Sequence, residues 1–273
     1  MRSQPIPRLP SRFRLVEEIG VGRTSVVYLA RDTRTGTSVA VKVIDLGDDP
    51  TREDLGAVIL ERFELETRSL GRIRGVGGIQ RVLHVGLSDR GIPWIVSEYL
   101  PGGSLRDRMT AHRVGDESSD GDDSSAVAES ERSSGLGPAD PSRSGPSPFA
   151  LPRSVIRVLF VTLAEAHRVD VVHGDISPNN ILFNNAGNPV ITDFGMARLL
   201  DAGAQGPAGG LTPGFAAPER LRGSHPTAES DVYAMAKTLM PFAEPEVCRV
   251  LVHAMVANPT KRPSARKIAR RLR

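Results

Sequence analysis

The chain is poor in cysteine, in aromatics and in long apolar runs, and each shortage removes a class of protein. With Cys248 as its one cysteine there can be no internal disulfide, and redox or thiolate-metal chemistry is disfavoured. A reducing compartment is implied, so the expected location is the cytoplasm. Residues 1–10 lack the apolar core of a secretory signal. The greasiest run, Val155 to Ala164, is broken by Arg157, and nothing approaches the roughly 20 apolar residues that span a bilayer. Aromatics amount to 4%, and none interrupts the basic terminal stretch Lys261, Arg262, Arg266, Lys267, Arg270, Arg271 and Arg273. Without rings on which bases could stack, that stretch reads as the solvated face of a helix rather than a nucleic-acid site.

What is present is an ordinary globular mixture, 39% hydrophobic and 25% charged, in 273 residues that can form one large domain or two modest ones. Its charge is unevenly spread. Residues 116–148 hold eight acids and two arginines, a net −6 that leaves +9 on the rest of a chain whose total is +3. Residues 111–149 are rich in Ser, Gly, Pro and acid and cannot bury enough apolar surface to offset their ordering entropy. They read as a disordered insert. Its serines also make it a candidate phosphorylation target of the chain itself, or a tether for a partner.

Before the insert lie β-like runs at Phe13–Ile19, Val26–Arg31, Ser38–Ile44, Gln80–Leu87 and Trp94–Glu98, separated by turn residues. One helix interrupts them, over about 52–72, with Leu55, Ile59, Phe63 and Leu70 at helical spacing. After the insert the period is mostly helical, at Val155–Arg168, Ser230–Met240 and Val247–Ala257. The expected architecture is α+β and bilobal: a small antiparallel-sheet lobe with one helix at 13–97, a hinge at 98–103, and a larger helical lobe formed by 104–110 and 150–273. A cleft between two lobes is a usual place for a ligand.

Three patterns carry chemistry. Gly20-Val21-Gly22-Arg23-Thr24-Ser25-Val26-Val27 lies between two strands, where glycines let backbone N–H groups approach phosphate oxygens, although a plain hairpin turn would look similar. In Val39-Ala40-Val41-Lys42-Val43-Ile44, alternation puts Lys42 on one face with Ala40 and Ile44, where a poorly solvated ammonium needs an anion. Glu66 is a candidate, because the stripe Ile59, Phe63, Glu66, Leu70 places its carboxylate in a buried seam. Third, His173-Gly174-Asp175-Ile176-Ser177-Pro178-Asn179-Asn180 precedes Val190-Ile191-Thr192-Asp193-Phe194-Gly195. Asp175, Asn180 five residues on, and Asp193 thirteen after that supply a proton acceptor and two hard oxygen ligands suited to Mg²⁺.

Taken in order, these residues resemble the protein kinase family, and in particular the eukaryotic-like serine/threonine kinases of bacteria. Later landmarks extend the resemblance: Ala217-Pro218-Glu219, Ser230-Asp231-Val232-Tyr233 and Asn258-Pro259-Thr260-Lys261-Arg262-Pro263-Ser264. It implies an ATP- and Mg²⁺-dependent phosphotransferase acting on proteins. Lys42, held by Glu66, would contact the phosphates, Asn180 and Asp193 the metal, and Asp175 the acceptor hydroxyl. The nucleotide would lie under residues Ile19 to Val27 and against Ala40, with Ser97 at the gatekeeper position and the backbone of Glu98 and Leu100 on the adenine. Glu219 and Arg262 would form a buried ion pair, and Asp231 would hold the catalytic loop from below.

The departures matter as much. Gly174 stands where the family has an Arg that receives an activation-loop phosphate, and the loop from Met196 to Leu211 contains no Ser, Thr or Tyr. Switching by loop phosphorylation is therefore not expected. Ser177 replaces a lysine aimed at the transferring phosphate, so turnover should be slow. Ser25 replaces a third glycine, and the short link from Met240 to Val247 leaves no room for a helix that helps most members dock substrates. A non-catalytic scaffold and a small-molecule phosphotransferase, in which His-Gly-Asp also occurs, are the alternatives.

Overall fold

The computed structural model describes residues 9–22, 25–44, 71–88, 92–110, 150–194 and 211–273. In its first part, strand alternation sets the architecture. β1 (Phe13–Val21), β2 (Ser25–Asp32), β3 (Ser38–Ile44), β4 (Val82–Leu87) and β5 (Pro93–Glu98) form one antiparallel sheet in the order β1-β2-β3-β5-β4. β3 is central. Its β-branched Val39, Val41 and Val43 enter one cluster with Phe13, Ala30, Trp94 and Val96, which leaves the other face to Ala40, Lys42 and Ile44. The strand expected to start at Gln80 starts at Val82 instead: Gln80 N–H donates to Ile191 O, and Arg81 N–H donates to the Glu98 carboxylate rather than to a β5 carbonyl.

The larger lobe is built on α1 (Arg153–Arg168), the hairpin β6 (Ile181–Phe183) and β7 (Pro189–Ile191), α2 (Pro218–Leu221), α3 (Ala228–Leu239), α4 (Pro245–Leu251) and α5 (Ala265–Arg271). α1 buries Ile156, Leu159, Phe160, Leu163 and Ala166, the apolar stripe of an amphipathic helix. α3 starts two residues earlier than its apolar period suggests. Thr227 and Ser230 cap it reciprocally, the Thr227 hydroxyl accepting from Ser230 N–H at 3.2 Å and the Ser230 hydroxyl from Thr227 N–H at 3.0 Å. Arg266, Lys267, Arg270, Arg271 and Arg273 are exposed, as a solvated helix face requires, whereas Arg262 is buried.

The helix expected over 247–257 is shorter at its far end. α4 begins at Pro245 and gives way at Val252 to a 3₁₀ turn ending at Met255. Beyond that turn the carbonyls of Val256 and Ala257 accept from the Arg262 guanidinium, from Nε at 2.8 Å and Nη2 at 3.1 Å. Between α3 and α4 there is a single 3₁₀ turn, Met240–Phe242. Among the described residues no helix is long and apolar enough to cross a membrane. The helix expected at 52–72 falls outside the described residues except for 71 and 72, which are helical, and so do Glu66, Arg23, Thr24, Gly195, residues 196–210 and the 111–149 insert.

The segment before β4 belongs to the larger lobe by packing. Ile73 and Ile79 join the core that contains Leu163, Phe183 and Met235. Gln80 N–H donates to Ile191 O at 2.9 Å, and Ile191 N–H to Gly78 O at 2.8 Å. The Thr162 hydroxyl of α1 donates to Gly77 O at 3.1 Å. Gly78 has φ of +82°, and a Cβ there would lie 2.4 Å from Thr162 Oγ1. Gly78→Ala should therefore lower the unfolding free energy by about 2 kcal/mol through strain and overlap, read as a fall in the urea midpoint at unchanged slope. A midpoint equal to that of the unmodified chain would show that this seam yields freely.

Candidate active site

The centre is assembled around one buried carboxylate. Asp231, in the first turn of α3, is 1% exposed and accepts from His173 N–H at 2.7 Å and Gly174 N–H at 2.8 Å, with His167 Nε2 at 3.0 Å. A buried carboxylate is tolerable only with such donors, and the same bonds fix the loop leaving α1. Gly174 has φ of +89°, a left-handed conformation that glycine takes without penalty. The His173 side chain then links two parts of the centre. Its Nε2 lies 2.7 Å from the carbonyl of Thr192 and its Nδ1 accepts from Asp175 N–H at 3.2 Å. A carbonyl can only accept and an N–H only donate, so the ring is the neutral Nε2–H tautomer. It also packs on Phe194, centroids 4.8 Å apart.

Asn180 follows on a 3₁₀ turn, Pro178–Asn180, where proline at the first position presets the backbone. Its Nδ2 donates to Asp175 O at 2.8 Å, which leaves Oδ1 as the atom able to ligate a cation. Thr192 N–H donates to Asn180 O at 3.0 Å, bringing Asp193 into line. Asp193 itself has φ of +60°, uncommon for a residue with a side chain and typical of functional positions. Its Oδ2 lies 2.8 Å from Lys42 Nζ, across the cleft from β3. Asn180 and Asp193 together offer an amide oxygen and a carboxylate, hard donors that fit Mg²⁺ sharing its shell with water and phosphate oxygens.

Asp175 is half-buried, and desolvation pushes its carboxyl above the ordinary range; the hydrogen bond from Thr212 opposes this and the nearby Asp193 charge adds to it. Thr212 N–H donates to Asp175 Oδ1 at 2.7 Å. That contact was not legible from the residue pattern, because its donor is a backbone group 37 residues along the chain. The only hint was the adjacency of Thr212 to Pro213 and the Ala217-Pro218-Glu219 landmark. Ser177 is 1% exposed and its Oγ has no hydrogen-bond partner among the described residues.

Around this centre the other expected positions fall as follows. The β1–β2 turn closes with Gly22 N–H on Ser25 O at 2.7 Å, and Gly20 and Val21 pair with Val27 and Val26. Ile19 and Val21 are exposed, and Ser25 is buried. Ala40 pairs with Ser97 and Lys42 with Ile95, so β3 and β5 run side by side into the joining segment. Ser97 and Leu100 are buried and Glu98 is half-buried. Gly102 N–H donates to Phe183 O at 2.9 Å and Phe183 N–H to Gly103 O at 3.0 Å, stapling that segment to β6. A Cβ at Gly102 would lie 2.5 Å from Phe183 O.

Beneath the centre, Arg262 pairs with Glu219 through both terminal nitrogens, Nη2 to Oε2 at 2.7 Å, and also donates from Nη1 to Glu229 O at 3.1 Å. With Val256 O and Ala257 O, all five guanidinium N–H groups have acceptors. Burial opposes ionisation of Glu219, but the Arg262 hydrogen bonds prevail and hold its carboxyl below the usual range.

Comparison with known proteins places this geometry. Residues 13–247 match the protein kinase domain family. The chain is 34% identical over 246 residues to serine/threonine-protein kinase PknK of Mycobacterium tuberculosis, covering 87% of this chain and 18% of that protein. It is 31% identical over 240 residues to the probable serine/threonine-protein kinase pknA2 of Bifidobacterium longum, covering 85% and 26%. The chain thus spans about a fifth to a quarter of the length of these relatives. The crystal structure of the Mycobacterium tuberculosis PknI kinase domain superposes with a TM-score of 0.63 at 20% identity, over 96% of this chain and 95% of that one. At that identity it speaks to the fold alone, but the family match runs through most of the sequence and both lobes: the chain belongs to the protein kinase family.

Proposed function

We propose that the chain is the catalytic domain of an ATP- and Mg²⁺-dependent kinase that phosphorylates Ser or Thr hydroxyls of proteins, organised as 13–97, 98–103, and 104–110 with 150–273. The observation that carries the reading is the 2.8 Å Lys42–Asp193 pair, which draws β3 and the end of β7 together within reach of Asn180 and Asp175. Lys42, with Glu66 as a second carboxylate partner, is placed to take the phosphates. Asn180 and Asp193 would hold Mg²⁺, which neutralises charge on the phosphate oxygens when bound. Asp175 orients the acceptor hydroxyl and takes its proton, helped by a burial-raised pKa that strengthens it as a base. Ile19 to Val27, Ala40, Ser97, Glu98 and Leu100 would enclose the nucleotide.

Thr212 on Asp175 ties the segment leading to Ala217-Pro218-Glu219 onto the proposed base, which supports a protein acceptor over a small molecule. The curated relatives PknK and pknA2 carry serine/threonine kinase names, in keeping with that choice. The decisive assay offers radiolabelled ATP and a generic protein acceptor to wild type and Asp175→Asn. Transfer by wild type, reduced at least about 100-fold in Asp175→Asn, is expected. Nucleotide binding with no transfer by wild type would make the chain a scaffold, and transfer to small molecules alone would overturn the protein-acceptor assignment.

Two finer expectations rest on this reading. With Gly174 in place of an arginine, and no hydroxyl residue from Met196 to Leu211, activity should not depend on phosphate in that loop. Treating the purified protein with phosphatase should leave its rate within about twofold; a large loss traced to phosphate between these residues would refute the idea. Ser177 offers a buried hydroxyl where a cation would stabilise the transferring group, a deficit of roughly 2–4 kcal/mol in the transition state. Ser177→Lys should raise kcat by tenfold or more at similar KM for ATP. An unchanged or lower rate in a variant of unaltered thermal midpoint would mean that another cation already fills the role.

A further inference from the structure

Seven cations and no acid fall between Lys261 and Arg273. Arg262 is absorbed by Glu219 in the interior, and the other six are exposed. Ala265, Ile268, Ala269 and Leu272 turn the opposite side of α5 into the core. At about 100° per residue, Arg266, Lys267, Arg270 and Arg271 then share an arc of about 140°. None of the six exposed cations forms an ion pair with a described residue. Like charges so close repel one another, and a counter-charge laid along the face relieves that. No large apolar side chain is exposed in this stretch, so the face has nothing to insert into a lipid interface or an apolar groove.

The sequence supplies a matching counter-charge. Residues 116–131 hold seven acids and no cation. They belong to the insert at 111–149, outside the described residues, but the point where the chain re-enters the fold is fixed. Leu151 is buried and donates its N–H to Phe242 O at 2.8 Å. Two residues on, Arg153 closes over the end of α5, donating from Nε to Leu272 O at 3.2 Å and from Nη2 to Arg271 O at 3.2 Å and Arg273 O at 2.7 Å. The insert therefore rejoins the fold beside the end of the basic face. A coil running from Glu131 to Ala150 spans about 24 Å r.m.s., whereas α5 is about 10 Å long. The acidic run can reach the whole face, at an effective concentration on the order of millimolar.

We propose that the exposed basic face of α5 is a docking surface whose occupant is the acidic run 116–131 of the same chain. The inference goes beyond the phosphotransfer reading and does not depend on it. Each exposed ion pair is weak alone, and it is their number and the covalent tether that make the contact effective. An outside acidic partner must then displace the chain's own run before it reaches α5. Ser118, Ser119, Ser124, Ser125 and Ser130 are interleaved with the acids, so a phosphate on any of them adds about −1.5 to −2 charge and tightens the docking.

The chain has four lysines, and Lys261 and Lys267 belong to the basic stretch while Lys42 and Lys237 do not. Carbodiimide coupling of lysine amines to carboxylates in the full chain, read by peptide mass spectrometry, therefore reports the contact directly. Amides from Lys261 or Lys267 to acids of 116–131 should outnumber those from Lys42 or Lys237 at least about tenfold. In an equal mixture of light and isotopically heavy chains they should form within one chain. They should fade at about 0.5 M NaCl, where the screening length falls to about 4 Å. Arg266→Gln with Arg270→Gln and Arg271→Gln leaves Lys267 as the reporter and should cut its amides about fivefold or more at an unchanged thermal midpoint. Amides spread evenly over the four lysines, or Lys267 amides that survive both salt and the triple substitution, would overturn the proposal. Coupling found only between chains would overturn it as well, by making a second copy the occupant. The wild-type pattern and its salt dependence decide the matter even where the triple variant is unstable.

Discussion

Asp231 is the interaction on which the rest of the site depends. Its carboxylate sits in the interior at the start of α3, where an unpaired charge would be prohibitive, and three donors resolve that cost. Two of them are the successive N–H groups of His173 and Gly174, so satisfying the charge and shaping the loop are one event. From there the order propagates by single hydrogen bonds. His173 fixes the Asp175 backbone and reaches Thr192, Asn180 clasps the carbonyl of Asp175, and Asp193 is delivered to Lys42. No member of the series is held by its own element alone, which is how a loop can be as well defined as a helix.

A second buried charge braces the other end of the lobe by the same logic. Arg262 reconciles Glu219, two frayed carbonyls after α4 and one in the first turn of α3. It also lies over the Tyr233 ring at 4.9 Å. The carbonyls that follow α4 satisfy a guanidinium, and the segment 211–219 that approaches Asp175 is pinned to the helical core at Glu219.

Much of this was legible in the sequence where chemistry and spacing coincide. β3 is found over the residues its alternation marks, because β-branched side chains at period two leave few other options for a central strand. Asp175, Asn180 and Asp193 converge as their spacing suggests, and Glu219 meets Arg262. Less legible were partners set by distant backbone. Thr212 reaches Asp175 with an N–H that any residue possesses, so no side-chain signature announces it. Lys42 was read against Glu66, which lies outside the described residues; the lysine's pairing with Asp193, a carboxylate far along the chain, had no local signal. The end of α4 was misread because apolar periodicity continues past Leu251, through a 3₁₀ turn that shares the same buried face at Ala254.

Ile73 and Ile79 illustrate the same limit at the level of architecture. They fall within 13–97, read as the sheet-bearing lobe, yet they pack into the helical core, while Gln80 and Arg81 after them bind the joining segment. Local pattern cannot reveal this, because an isoleucine is equally content in either core. The consequence is mechanical. Among the described residues the sheet lobe meets the helical lobe through the Glu98–Gly103 connection and also through a second strip of chain at 77–81, anchored on α1 and β7. Two attachments with the cleft beside them constrain the approach of Lys42 to Asp193 far more than one hinge could. A short pair across that cleft can then persist between two side chains that both retain access to solvent.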